Sequence, residues 1–198
     1  VIAALNDTPY GVLKFEGLDA TVTVQDKVMA AEITNVTVRN TTVAPGDELK
    51  INLEIKPFRG EQFNHLIKLR IPEDQPDGPF NVFIGDASSH LQVLYERKPH
   101  LTRITNLDEL FEMVKMVSTM KETAVYATLL NTRRQEVAVG RTELPDLPSS
   151  KAAMLLQPTS SQATPYLDAV EYVKPIDYVI RGNFSFPILV QSQTEAGS

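Results

Sequence analysis

Apolar and polar positions alternate most clearly in the first half of the chain, between residues 36 and 86. Alternation places successive side chains on opposite faces of a strand, so it predicts half-buried antiparallel strands. Turn residues separate the strands, with Pro45-Gly46 before the first and Pro76-Asp77-Gly78 before the last. The alternating apolar positions are Leu49, Ile51, Leu53 and Ile55, then Ile67, Leu69 and Ile71, then Phe80, Val82 and Ile84. Short strands at this spacing predict a β-sandwich.

Weaker alternation on both sides of this stretch predicts further strands. At the N-terminus, a strand is expected around Val12–Phe15 and another over Ala20–Gln25, where Val22 and Val24 alternate. Later in the chain, three segments are expected to be strands, with a turn at Asn131–Arg134 between the first two and a turn or bulge at Gly182 before the last. These segments are Ala124–Leu130, Glu136–Val139 and the closing strand Phe184–Val190.

One amphipathic helix is predicted at about residues 105–118. Thr105 or Asn106 fits its N-cap, and Asp108 or Glu109 three residues later completes a capping box. Five apolar residues fall on one face at helical spacing, which predicts that the helix packs this face onto a sheet. They are Leu107, Leu110, Phe111, Val114 and Val117. Met113 and Met116 widen the face and are interpreted as core filling rather than as a binding groove.

The predicted fold class is therefore mainly β, an immunoglobulin-like or β-sandwich arrangement of antiparallel sheets with one packed helix. We divide the chain into N-terminal strands (1–35), a β-sandwich-like domain (36–98), an α+β region that completes or follows it (99–191) and a disordered tail (192–198). Within the third segment, 151–156 fits either a short helical turn or a strand. Residues 157–164 are polar and expected to be mobile.

Composition and charge exclude several classes of protein. The chain has 198 residues and a net charge of −6, and its densest basic site is Arg133-Arg134, so a nucleic-acid partner is not expected. There is no cysteine, which excludes disulfides and thiolate metal sites. The longest apolar run, Ala152–Leu156, is far too short to span a bilayer. If the protein is exported, we expect its signal peptide upstream of Val1.

The three histidines invite a zinc hypothesis. None of His65, His90 and His100 has a second histidine three or four residues away, so we interpret them as surface or loop residues. Ser88-Ser89-His90 lacks the glycines that expose a nucleophilic serine. No catalytic, cofactor-binding or metal-binding residue is assigned from the sequence, and no cofactor or small-molecule ligand is indicated.

The remaining acidic and aromatic residues are expected to have structural roles. The densest acidic group offers oxygen atoms of the kind that calcium binds, but its spacing fits no EF-hand loop, and we interpret it as a solvated turn. Its members are Glu73, Asp74, Asp77 and Asp86.

A carbohydrate platform would depend on scattered aromatic residues, most of which are expected to pack in the core or at edges. They are Tyr10, Phe15, Phe58, Phe63 and Tyr95. Four Asn-x-Ser/Thr sites matter only in a source that glycosylates them. They are Asn6, Asn35, Asn40 and Asn183.

Five segments, in this order along the chain, carry a resemblance to a known family. VAPGDELKINLEIKPFRGE (43–61) is followed by IKLRIPEDQPDGPFNVFIGD (67–86), and then by the helix TNLDELFEMVKMV, LPDLPSS and DYVIRGNFSFPILV. This order resembles the C-terminal region of bacterial exported proteins that carry a SpoIVB-type serine peptidase domain upstream. The resemblance covers about Val36 to Val190. The nucleophile motif of that family has no match here, so the resemblance implies an accessory region without catalytic residues.

The leading functional expectation is a non-catalytic, extracytoplasmic β-sandwich module that binds a protein partner. One alternative is a structural subunit that assembles through its strand edges into an extracellular filament or coat. Another is a hydrolase whose site is built from scattered residues. We expect the protein to be periplasmic, at the cell surface or secreted.

Overall fold

The computed structural model is mainly β, with two sheets and three helices in the part that it describes. It describes residues 9–10, 16–17, 19, 21–24, 26, 28–157 and 162–192, with the backbone only at 132–134. The strands are β1 (Ala30–Val38), β2 (Thr42–Val43), β3 (Glu48–Pro57), β4 (Phe63–Arg70), β5 (Gly78–Gly85), β6 (Ala124–Val139), β7 (Thr142–Leu144), β8 (Ala163–Pro175), β9 (Val179–Arg181) and β10 (Asn183–Val190). The helices are α1 (Ala87–Arg97), α2 (Leu107–Thr119) and α3 (Ser149–Leu155), with a 3-10 turn at Pro99–Thr102.

The smaller sheet has four strands in the order β4-β3-β1-β9. β3 pairs antiparallel with both β1 and β4, whereas β9 pairs in parallel with the other side of β1. The four aliphatic residues of β3, from Leu49 to Ile55, are buried, and the polar residues between them are exposed or half-buried. The strand predicted from alternation is therefore confirmed.

The larger sheet has six strands. β10 lies between β2 and β5, β5 pairs with β6, and β7 and β8 also pair with β6. The chain bends into β10 at Gly182, whose φ is 104°. A Cβ added there would lie 3.1 Å from the carbonyl oxygen of Ile33, so both the conformation and the space favour glycine.

β6 is one strand of 16 residues, so the predicted hairpin turn at Asn131–Arg134 is wrong. The ladder with β8 is interrupted at this place, because Leu130 pairs with Ala169 and the next pair is Gln135 with Leu167. Four residues of β6 therefore lie opposite one residue of β8, which makes a large bulge. The polar residues that indicated a turn interrupt the pairing without reversing the chain.

A single apolar core lies between the two sheets. It takes residues from β1, β3 and β4 on one side and from β5, β6 and β10 on the other, among them Leu53, Leu69, Val82, Leu129 and Ile188. Each buried aliphatic side chain contributes roughly 1.5–3 kcal/mol. The predicted mainly β sandwich is confirmed, although each sheet contains one parallel pair, β1 with β9 and β2 with β10. β5 and β10, which come from the segments 36–98 and 99–191, pair with each other along their whole length.

The predicted helix corresponds to α2, whose N-cap Asn106 accepts a hydrogen bond from the amide of Glu109. Only Leu110 of its apolar face is buried, and Phe111 is 47% exposed, so this face is only partly covered. Two further helices are present. α3 resolves the choice left open at 151–156 in favour of a helical turn, whereas α1 had not been predicted.

The structure corrects three further predictions. Residues 21–24 form no strand, and Val22 and Val24 are exposed, so the strand expected over Ala20–Gln25 is wrong there. Thr164, expected in a mobile segment, is buried in β8. Ser192, assigned to the tail, is hydrogen-bonded to Asp77. The strand expected around Val12–Phe15 lies outside the described residues.

Candidate functional site

The helix α1 is fixed onto the outer face of the larger sheet by a buried carboxylate. Asp86 ends the loop after β5 and accepts hydrogen bonds from the Ser89 amide (2.8 Å), the Ser88 hydroxyl (2.7 Å) and the Gly182 amide (2.9 Å). Burial acts to raise the pKa of Asp86, but these hydrogen bonds outweigh it and lower the pKa below its usual value. Asp86 thus caps α1 and links it to the bend before β10.

The first group of buried polar side chains surrounds His90, which is 5% exposed. Its ring stacks on Tyr126 with 4.7 Å between centroids, and its Nδ1 atom lies 3.4 Å from the Thr128 hydroxyl. Its Nε2 atom lies 3.8 Å from the Glu171 carboxylate, which also forms an ion pair with Arg97. Arg97 also donates a hydrogen bond to the Leu167 carbonyl, beside the bulge. This group joins α1 to β6 and β8.

The second group surrounds His100, which has no exposed surface. Its Nε2 atom lies 3.0 Å from the Glu143 carboxylate, and the Lys98 amine lies 2.7 Å from the same carboxylate. The Tyr166 ring contacts the imidazole edge-on, with 5.3 Å between centroids. Burial, followed by the nearby Glu143 carboxylate, raises the pKa of Tyr166 to about 12. This group joins the 3-10 turn to β7 and β8. We call the two groups together the charged layer.

The pKa values of both histidines in the charged layer are lowered, which favours their neutral forms. Burial lowers the pKa of His90, and the nearby Glu171 carboxylate only partly opposes it. Burial likewise lowers the pKa of His100 against the effect of Glu143. The interpretation of these histidines as surface or loop residues is wrong for both. His65, the third histidine, is half-buried in β4.

The charged layer holds its ionisable groups in fixed, internal contacts. The Nδ1 atom of His100 and the Nε atom of Arg97 have no hydrogen-bond partner within the described part of the chain. Ser88 donates to Asp86 rather than to His90, so Ser88, Ser89 and His90 form no catalytic arrangement with one another. The charged layer holds one helix and one turn against the sheet by pairing buried His90, Arg97 and His100 with the partly exposed carboxylates of Glu171 and Glu143.

The acidic residues that we interpreted as a solvated turn do not form one site. Glu73, Asp74 and Asp77 are exposed, whereas Asp86 is buried, so the interpretation is wrong for Asp86. Glu73 forms an ion pair with Arg70 (2.9 Å), Asp77 accepts from Ser192, and Asp86 caps α1. Among the residues that the structure describes, no group of three or more His, Asp or Glu side chains is placed to hold a metal ion.

A pocket of about 110 Å³ lies beside the bulge of β6. Three carboxylates line it, those of Glu136, Asp146 and Asp168, together with the apolar Leu129 and Val170. Asp146 has a φ of 59°, and its amide donates to Glu136 (3.0 Å). No local pattern predicts this pocket, because its lining comes from distant segments that meet only at the bulge.

The aromatic residues considered for a platform lie on separate elements. Phe63 packs against Tyr178 at the edge of the core, Phe58 is exposed beneath the Arg59 guanidinium, and Tyr95 is half-buried on α1. Phe15 and the glycosylation site at Asn6 lie outside the described residues. The other three asparagine sites each form hydrogen bonds. They are Asn35, Asn40 and Asn183.

The two edges of the sandwich differ in length. At one edge the last strands are very short, two residues in β2 and three in β9. At the other edge, which we call the open edge, the last strands are β4, with eight residues, and β8, with 13. Within the described ranges, β4 pairs only with β3 and β8 only with β6. The Tyr172 hydroxyl donates to the Arg70 carbonyl (2.5 Å), which links the two strands across the sandwich.

The side chains between β4 and β8 are only partly covered. Phe63, Val170, Tyr172, Ile176 and Tyr178 pack against the core but remain half-buried. An open strand edge with such side chains presents backbone donors and acceptors beside apolar surface, which is the chemistry that binds another strand.

No helix in the described part of the chain is both long and apolar enough to cross a membrane. In comparisons with known proteins, no family model, no curated protein and no solved structure matches this chain.

Proposed function

We propose that this chain is a non-catalytic protein-interaction module that binds an extended segment of a partner along the open edge. The observation that supports this proposal is the 13-residue strand β8, which ends the larger sheet with one side unpaired in the described structure. Strand addition supplies main-chain hydrogen bonds for affinity and alternate side-chain contacts for specificity.

The length of β8 supports the same proposal. Proteins commonly keep edge strands short, because a long unpaired edge binds other strands. β8 is a long strand that the described residues leave unpaired on one side, which favours a partner there. The charged layer supports a scaffold role, because it fixes the outer face of β8 through Glu171 and Arg97.

The wider setting is also a proposal. The family resemblance of residues 36–190 suggests an accessory region of a larger exported bacterial protein with a serine peptidase domain. In the structure, the segment of the PGD motif forms the turn before β3, where Gly46 has a φ of 87° and its amide donates to the Ile71 carbonyl (3.0 Å). The motifs that carry the resemblance are thus parts of the scaffold.

Amide hydrogen exchange tests the interaction proposal. The measurement compares the isolated chain at low concentration with the protein purified from its native source with its partners bound. We expect the outward-facing amides of β8 to exchange quickly in the isolated chain and to be protected in the native assembly. The interior strand β5 is the control and should exchange equally slowly in both samples.

Equal, fast exchange of β8 in both samples would contradict the proposal.

A screen of peptidase and esterase substrates tests the alternative of a hydrolase. Turnover that is abolished by a single Ser or His substitution would favour that alternative.

A further inference from the structure

We propose that the open edge binds a second copy of this chain, with β8 pairing antiparallel to β8 of the other copy across a two-fold axis at Glu171. The two six-stranded sheets would then form one continuous sheet. This inference rests on the proposed function, because it names the partner of the same edge.

The inner row of side chains is self-complementary in this register. β8 pairs Val170 with Leu129 and Tyr172 with Ala127 of its own sheet, so both side chains point toward the core. Across the two-fold axis, Val170 of each copy lies opposite Tyr172 of the other. Pairs of aromatic and β-branched residues are among the favourable cross-strand pairs, and here they cover side chains that are half-buried in the single chain.

The charges at the two ends of the paired segment are also complementary. Asp168 lies three residues before Glu171 and Lys174 three residues after it, so Asp168 of each copy faces Lys174 of the other. Neither side chain forms an ion pair within the described ranges. The symmetric pairing therefore forms two ion pairs between Asp168 and Lys174, one at each end of the paired segment.

The outer row gains cover for an exposed apolar residue. Val173 is 51% exposed in the single chain, and in this register it lies opposite Ala169 of the second copy. Glu171 meets its own copy at the axis, which by itself is unfavourable. Each Glu171 carboxylate, however, already forms an ion pair with the buried Arg97 of its own chain, and this offsets the repulsion.

Neighbouring registers lose these contacts. A shift by one residue would place core-facing side chains opposite outward-facing ones. A shift by two places Asp168 opposite Tyr172, or Lys174 opposite Val170, and removes both ion pairs. Of these registers, only the one centred on Glu171 places core-facing side chains opposite each other, pairs Val170 with Tyr172 and pairs Asp168 with Lys174.

Cysteine cross-linking tests the register directly, because the chain contains no cysteine of its own. The double variant Ala169→Cys with Val173→Cys should form a covalent dimer under mild oxidation, since these two positions face each other across the axis. Each single variant is the matched control and should not cross-link, because the same position in the two copies lies four residues apart along the strand, about 13 Å. Cross-linking of the single variants as efficiently as the double would overturn the proposed register.

Light scattering after size-exclusion chromatography measures the association of the unmodified chain. We expect the mass to rise with concentration toward twice that of the 22.0 kDa chain. Asp168→Lys should weaken the dimer about tenfold, because two ion pairs become like-charge contacts. Adding Lys174→Asp to that variant exchanges the two charges and should restore the affinity to within about twofold.

A constant monomer mass, with no cross-linking of the double variant, would overturn the self-pairing. Hydrogen exchange then separates this failure from failure of the proposed function. If β8 is still protected in the native assembly, the edge binds a different partner and only the self-pairing is wrong. If β8 is unprotected there as well, both proposals are wrong.

Discussion

The two faces of the larger sheet are covered in different ways. On the inner face, Leu129 of β6 packs among aliphatic residues from both sheets. One position earlier, Thr128 is just as buried but faces the imidazole of His90 on the outer side. Apolar burial is non-directional and independent of pH, whereas buried ionisable groups depend on geometry and protonation. We infer that the inner face supplies most of the free energy of folding. Contacts on the outer face fix the positions of α1 and the 3-10 turn.

The largest effect should follow from a cavity on the inner face. Leu129→Ala is expected to lower the free energy of unfolding by about 2–5 kcal/mol, because Leu129 is 2% exposed and the surrounding core cannot fully collapse. Urea unfolding measures the loss, which should be the same at pH 8 and pH 5.5. A loss that depends strongly on pH would contradict the view that the two faces act independently.

On the outer face, removal of Arg97 should have the next largest effect. Arg97→Ala leaves the Glu171 carboxylate without its ion pair beside His90, and it opens space next to the bulge. We expect a loss of about 1–3 kcal/mol, less than for a fully buried pair, because Glu171 is partly exposed. Lys68→Ala, in the exposed pair with Glu48, is the matched control and should cost under about 1 kcal/mol.

The charged layer should also make stability depend on pH. The pKa values of His90 and His100 in the folded chain lie below their usual value of 6.5, so the unfolded chain binds protons first as the pH falls. Stability is therefore full above about pH 6.5 and decreases as the pH falls toward the folded pKa values, below which the loss levels off. Urea unfolding between pH 8 and pH 5 measures this dependence.

Histidine variants show which side chains cause that dependence. His90→Phe keeps a ring on Tyr126 and should reduce the slope of stability against pH. His65→Gln, in β4 and outside the charged layer, is the control for the loss of a histidine elsewhere in the chain. The same slope in all three proteins would show that other groups cause the pH dependence.

The smallest effect is expected next to Leu129, on the opposite face. Thr128→Val keeps the shape of the side chain and removes only a long contact of 3.4 Å to His90. We expect a change within about 1 kcal/mol, since a hydrogen bond of this length contributes little. A loss as large as that of Leu129→Ala would show that the two faces contribute equally to stability.

The sequence predicted those parts of the fold that depend on local patterns. Alternation located β3, β4, β5 and β10, and a capping residue located α2 within two residues of its start. α1 was missed because its buried residues are His90, Leu94 and Arg97, which form no apolar stripe. The long strand β6 was divided in two because a bulge and a turn have the same polar composition.

The charged layer and the open edge could not be predicted from the sequence, for a different reason. His100 meets a carboxylate 43 positions away, and Arg97 meets one 74 positions away. Nothing in the local pattern says that a histidine will be buried when its partners come from other strands. Edge position is likewise a property of the whole sheet, so the exposed side of β8 becomes visible only after all its neighbours are placed.

The position of β10 has a consequence for the order in which the chain folds during synthesis. β10 lies between β2 and β5, yet it is made more than 90 residues after β5 ends. Until residue 190 has left the ribosome, the larger sheet lacks an interior strand, and β5 exposes an unpaired side beside Phe80, Val82 and Ile84. Sheets that depend on such distant pairings form slowly, and their unfinished edges tend to aggregate. The nascent chain is therefore expected to depend on chaperones until its last strand inserts.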